Sequence, residues 1–299
     1  MDESNNIHVS SRGILKSCDY FSITPHSSVR QLLNYPPLHT IQNNSCPLIY
    51  ICSSALPHFC NIMLPHIKSN FILVSGDCDL TMPNDVFNEK QVELFLNHPL
   101  LIHWFCQNMV MKHDKITCIP IGLDYHTMTT RKIWGNITSP RDQEHILNSI
   151  KSKCAPFSQR TVQCYANFHF TLKTRYAGDR MNALTEVPKE LVFYQPKPVN
   201  RMDTWKKQME YAFVISPHGG GYDCHRTWEA LVLGCIPIVK TSKIDILYDD
   251  LPVLIVNDWK DVNVELLENT IAKFSNMEFR YERLTLSYWM QKIRQYCVF

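Results

Sequence analysis

Residues 213–240 read FVISPHGGGYDCHRTWEALVLGCIPIVK, and the fold is decided in this stretch. Phe213, Val214 and Ile215 form an apolar run that predicts a buried strand ending at Ser216. Pro217-His218-Gly219-Gly220-Gly221 is turn chemistry, Asp223 is a natural N-cap, and residues 224–233 have helical spacing. Gly234-Cys235 then leads into another β-rich run, residues 236–240. The unit is therefore strand, glycine loop, helix, strand. Three adjacent glycines allow positive φ and let a ligand approach the backbone. The first helical N–H groups and the positive end of the helix dipole face that loop, which suits a pyrophosphate.

The side chains on the helix fit the same ligand. Arg226, in the first turn, supplies a guanidinium for phosphate oxygens. Glu229 lies three residues on and shares its face, placed for the vicinal hydroxyls of a ribose. Taken singly, each feature also has a plain structural reading: a tight turn before a helix, or a surface ion pair of little energetic weight. Trp228 and Leu231 read as core. The combination of buried strand, triple glycine, Arg and Glu favours a nucleotide.

Other readings of the same letters need partners that the chain lacks. HGGG also serves as the oxyanion segment of some α/β-hydrolases, but no G-x-S-x-G elbow accompanies it. Walker A, G-x-G-x-x-G and H-E-x-x-H are absent as well.

Outward from this unit, β-rich runs alternate with helical ones. Residues 161–170, 190–194, 211–216, 236–240 and 252–256 predict strands, with helices at 204–210, 224–233 and 264–274. Upstream, residues 47–52, 70–75, 100–105 and 115–121 predict a first series, with helices at 89–97 and 142–152. Alternation of this kind predicts mostly parallel sheets, and two series predict two α/β domains with a boundary near residue 155. Residues 278–296 predict a terminal helix.

Composition agrees with a packed, soluble chain. Of 299 residues, 45% are hydrophobic and 19% charged, with a net charge of +2, so no bulk basic field argues for nucleic acid. The polar start, with Asp2 and Glu3, is unlike a signal peptide, and no apolar run approaches membrane length. A cytoplasmic protein without a membrane span is expected. The twelve cysteines are scattered, with no C-x-x-C pair or zinc spacing, and are expected to be reduced. The sequons at Asn43 and Asn136 then carry little weight.

The segment at 216–240, followed by LYDDLPVLIVNDW at 247–259, resembles the donor-binding half of exostosin-like (GT47-type) glycosyltransferases, of the kind found in large DNA viruses, algae and other protists. SGDCD (75–79), WFCQN (104–108), IPIGLDY (119–125) and YANFHFTLKTRYAGDR (165–180) extend the resemblance upstream. It implies a GT-B architecture, with two Rossmann-like domains facing across a cleft. Residues 1–155 would be the acceptor side, 156–277 would bind the nucleotide sugar, and 278–299 would cross back to the first domain. It further implies inverting transfer from a UDP-sugar to a hydroxyl of a glycan, xylose being the first choice of sugar. A sugar-nucleotide-binding module without activity and a UDP-sugar epimerase remain as alternatives.

Inverting transfer needs a base for the acceptor and charge stabilisation for the departing diphosphate. The diphosphate is assigned to Arg226, Arg180 (placed by the resemblance) and the amides of Gly219, Gly220 and Gly221, with Ser216, His218, Asp223 and Glu229 completing the nucleotide-sugar site. The base is expected at a strand end of the first domain. Asp79 is preferred, Asp77 is its alternative, and Asp124 stands behind them; the close pair Asp77 and Asp79 is expected to raise one another's pKa. His225 is assigned to support of the helix start. No metal or cofactor is required beyond the UDP-sugar as co-substrate, although Asp77-Cys78-Asp79 has the form of a metal motif.

Overall fold

The computed structural model describes residues 2–35, 46–168 and 173–297. The sequon at Asn43 and the last part of the strand expected at 161–170 lie outside the described residues.

Four short runs of β-branched and aromatic residues form the first sheet: β1 (Leu48–Cys52), β2 (Phe71–Gly76), β3 (Leu101–Cys106) and β4 (Ile116–Cys118). All pair in parallel, in the order β1-β2-β3-β4. β1 and β2 are buried along their whole length, so their two faces feed two different clusters. Ile49, Ile51, Phe71, Leu73 and Trp104 pack on one side, beneath α2 (Leu56–His58), the turns that continue it, and α3 (Glu89–Leu96). Leu48, Tyr50, Ile72, Val74 and Phe105 pack on the other.

That other face receives α1 (Ser11–Ser17), which no sequence signal had marked. Ser10 caps it by accepting the Gly13 N–H, and Ile14 and Leu15 are buried. The polar N-terminus is thus part of the core. His8 bridges to Thr285 and Ser10 to Gly122, both antiparallel.

After α4 (His126–Thr130) and α5 (Pro140–Lys151) comes a second parallel sheet: β5 (Thr161–Ala166), β6 (Val192–Tyr194), β7 (Tyr211–Ile215), β8 (Ile236–Lys240) and β9 (Leu254–Val256). Its order is β6-β5-β7-β8-β9. The helices between are α6 (Ala177–Glu186), α7 (Arg201–Gln208) and α8 (His225–Val232), and α9 (Val264–Phe274) follows the last strand. The two α/β units are Rossmann-like and face each other across a cleft, a GT-B-like arrangement and the α/β class the alternation predicts. Along the first sheet the order never reverses. In the second it reverses between β5 and β7, and a doubly wound sheet opens its ligand crevice at such a switch point.

The elements are shorter than the apolar runs suggest. The run at 115–121 is a strand only over Ile116–Cys118, and the terminal stretch is a helical turn followed by α10 (Leu286–Arg294). α10 inserts Trp289 and Ile293, both buried, beside α1, and the same apolar cluster holds Trp228 and Leu231 of α8 and Val214 of β7. One core therefore runs through both sheets. Among the described residues no helix is long and apolar enough to cross a membrane.

Candidate active site

β7 ends at Ile215, and the glycine loop leaves it at the switch point beside β5. Ser216 turns inward: its Oγ lies 2.8 Å from the Thr227 Oγ1, and its N–H donates to the Ile238 carbonyl. His218 donates its backbone N–H to Asp179 (2.8 Å) and its Nδ1–H to the Tyr222 carbonyl (2.9 Å). Both are buried and tie the loop to its own domain, and neither lines the cavity at the switch point.

The expectation of positive φ in the triple glycine is corrected, since none of the three has φ in the left-handed region. Their smallness answers to crowding. A Cβ on Gly219 would stand 2.7 Å from Arg180 Nη2, on Gly220 2.1 Å from Asp79 Oδ2, and on Gly221 2.9 Å from Asn108 Nδ2. Two of these three neighbours belong to the first domain. At Gly220 and Gly221 side chains of the first domain press against the backbone of the second.

Asp223 is likewise not the N-cap of α8. Cys224 holds that position and makes no side-chain cap bond. Asp223 instead crosses the domain boundary, accepting the Ile121 N–H at 2.7 Å and the Trp228 Nε1–H at 2.7 Å. Its own N–H donates to the Asn108 Oδ1 (2.9 Å). Burial pushes its pKa up to about 6, against the pull of those donors. One consequence is that no side chain of the described residues caps the amides at the start of α8.

Cys224, His225 and Arg226, at the start of α8, line a cavity of about 660 Å³, within the range of small-molecule sites. Arg180, Gly219, Gly220, Gly221, Arg226 and Glu229 all line it, as do Asp79 and Asp223. Arg226 donates to the Pro217 carbonyl (2.6 Å), lies over the Phe168 ring, and has a buried Nε without a partner among the described residues. Burial lowers its pKa, and the neighbouring Arg180 acts in the same direction. Arg180 donates its Nε–H to the His218 carbonyl at 3.3 Å. Two guanidinium groups and an uncapped helix start thus converge on one wall, a place suited to a bound polyanion.

Glu229 does not stand as a free carboxylate. Its Oε1 accepts from Arg201 Nη2 at 2.6 Å, and Arg201 also donates to the Asp124 carbonyl at 2.5 Å. Arg201 is 8% exposed, with its guanidinium 5.0 Å from the Trp134 ring and 5.6 Å from the Trp205 ring. It joins the two domains at the cavity wall, and no motif marks it in the sequence. Asn108 is of the same kind, accepting the Asp223 N–H from across the boundary. Gln107 works within the first domain, where it accepts the Asp77 N–H at 2.9 Å and donates to the Pro120 carbonyl at 2.9 Å.

A second cavity, about 480 Å³, lies against the first domain and is lined by Asp77, Asp79, His126, Arg175 and His225 among others. Asp77 follows β2 with φ +52° and is buried, 3.5 Å from the Arg12 guanidinium. Its pKa is raised by burial, opposed by Arg12, and Asp79 is not among the causes. For Asp77, desolvation takes the place of the effect expected from a neighbouring carboxylate. Asp79 is exposed and reaches Gly220. Asp124 is buried; burial opposes its charge, but His225, His126, Arg201 and the Thr127 N–H outweigh it and hold the carboxyl well below the usual range. His126 Nδ1 is 3.1 Å from Asp124, and burial still brings that imidazole down to about 4. Among the described residues no group of three His, Cys, Asp or Glu side chains is arranged to hold a metal ion.

No family model matches the chain, and no curated protein matches it. Among solved structures it is similar to the crystal structure of an α1,3-fucosyltransferase, at 11% sequence identity and a TM-score of 0.36, over 85% of this chain and 90% of that one.

Proposed function

We propose that the protein is a glycosyltransferase that binds a UDP-sugar in the larger cavity and transfers the sugar to a hydroxyl of a glycan acceptor. The observation that carries this reading is the convergence of Arg226, Arg180 and the uncapped start of α8 on a cavity at the switch point of the second sheet. The diphosphate would lie on those groups, its leaving charge stabilised by them without a metal. The remaining Glu229 oxygen suits a ribose hydroxyl. Tyr165, Asn167 and Gln195 line the same cavity and offer a ring and amides to the nucleobase.

The second cavity favours a transferase over an epimerase, because an epimerase has no acceptor to hold. Inversion through a single displacement, the uridine preference and xylose as first choice of sugar rest on the exostosin-like resemblance. Of the two carboxylates of the S-G-D-C-D stretch, Asp79 is the one open to a bound sugar.

Isothermal titration with UDP and GDP tests the reading. Wild-type protein is expected to bind UDP, with at least a tenfold loss of affinity in Arg226→Ala and a smaller loss in Glu229→Gln. Binding of neither nucleotide to folded wild type would return the glycine loop to a purely structural role.

A further inference from the structure

The two cavities share a wall formed by Asp79, Ile121, Gly220 and His225. A sugar whose diphosphate lies on Arg226 and Arg180 must present its anomeric carbon toward that wall if an acceptor enters from the other side. Only Asp79 and His225 bring titratable side chains to it. We propose that the second cavity is the acceptor site, for a sugar hydroxyl, and that His225 is the general base that takes its proton. This rests on the donor-site reading above.

The geometry of His225 fits the task. Its Nδ1 lies 2.7 Å from the Gly122 carbonyl. A carbonyl only accepts, so Nδ1 keeps its proton and the neutral ring carries its lone pair on Nε2, to which no described residue is hydrogen-bonded. The carbonyl is itself fixed. Gly122 has φ +64°, and a Cβ there would stand 2.1 Å from the Val9 oxygen. Leu123 N–H also donates to that oxygen at 2.8 Å, and Ser10 bridges to Gly122. The N-terminal segment thus aims a carbonyl of the first domain at an imidazole of the second. This is the arrangement of a base oriented by a third group.

The surroundings accommodate the cation that proton uptake creates. Asp124 and Asp223 line the larger cavity together with His225, and Asp77 lines the second one with it, so carboxyl groups from three different segments share its surroundings. The His126 ring lies 6.2 Å away, with its Nδ1 facing Asp124. Asp79 has no comparable support: it is exposed, with no oriented partner among the described residues, and is suited to hold a sugar hydroxyl. In the step itself, the acceptor O–H proton passes to His225 Nε2 as the acceptor oxygen bonds to the anomeric carbon. The bond from that carbon to the β-phosphate oxygen breaks, and its electron pair leaves with UDP.

The test measures UDP release from a panel of UDP-sugars, with water and simple oligosaccharides as acceptors, alongside UDP titration. His225→Ala and His225→Asn are expected to bind UDP within about threefold of wild type and to lose turnover by about 10²- to 10⁴-fold. Asn keeps an N–H for the Gly122 carbonyl, so a merely structural histidine would leave its turnover intact. Imidazole in solution should restore His225→Ala at least tenfold and leave Asp79→Asn unchanged. Turnover of His225→Asn within fivefold of wild type, with UDP still bound, overturns the base assignment alone; absence of UDP binding to wild type overturns the donor site beneath it.

Discussion

Asp223 stands one residue before the N-cap of α8, and its neighbours give it a different task. It is fully enclosed, receives two N–H donors, and titrates near 6 because burial outweighs them. Its folded pKa is thus above the ordinary carboxylate value, so the folded chain holds a proton that the unfolded chain releases. The stability from this linkage is complete below about pH 4 and is lost as pH rises through 6, amounting to about 2–3 kcal/mol at most. Asp223→Asn removes that contribution. The difference in unfolding free energy between pH 4 and pH 7, from urea titrations, is expected to change in the variant by about 2 kcal/mol relative to wild type, in favour of pH 7. Groups such as Glu3 and His126 titrate alike in both proteins and cancel. At this scale the sequence was legible in part. Arg226 and the glycines announce themselves by type and order, while Arg201 and Asn108 sit among ordinary polar residues and are identified only by what lies across the cleft from them.

At the scale of the element, α8 starts without a side-chain cap, as α2, α4 and α6 also do, but it alone of the four carries Arg226 into the larger cavity from its first turn. An extended backbone at Cys224 (φ −130°, ψ 135°) already has N-cap geometry, yet its thiol makes no bond to the following amides. A carboxylate there would satisfy them and complement the dipole. Cys224→Asp is expected to raise stability by about 1 kcal/mol. It should also weaken UDP binding at least tenfold, since the new charge occupies the amides and repels the diphosphate. Thermal unfolding and titration on one preparation check both, and a variant that gains stability without losing UDP would separate the helix start from the ligand. The strand–loop–helix–strand unit itself was readable because each part is set by local chemistry: β-branched runs, glycines and a 3.6-residue period. Its cap assignment failed because Asp223 finds partners more than a hundred residues away in sequence.

For the whole molecule, the shared core sets the behaviour. Leu48 and Ile72 of the first sheet, Val214 of the second, and Trp228, Trp289 and Ile293 from α8 and α10 belong to one cluster. The two domains are therefore expected to unfold in a single transition, with far-UV dichroism and tryptophan fluorescence coincident. Trp289 is 1% exposed and donates to the Arg283 carbonyl at 2.7 Å, so Trp289→Ala should cost about 3–5 kcal/mol and lower the midpoint of that one transition. Two separate transitions, only one of them shifted, would show that the domains are held independently.

The sequence by itself determined the α/β class, the two series of strands, and the loop and helix that carry Arg226 and Glu229. Those features follow from short-range rules of periodicity and turn chemistry, which act within a dozen residues. Tertiary structure alone decided the strand order with its switch point and the packing of α1 and α10 into the core. It alone also decided the use of the triple glycine as a domain contact and the meeting of His225 with the Gly122 carbonyl. Each of these depends on which surfaces bury together, and burial joins residues whose separation along the chain leaves no pattern to read.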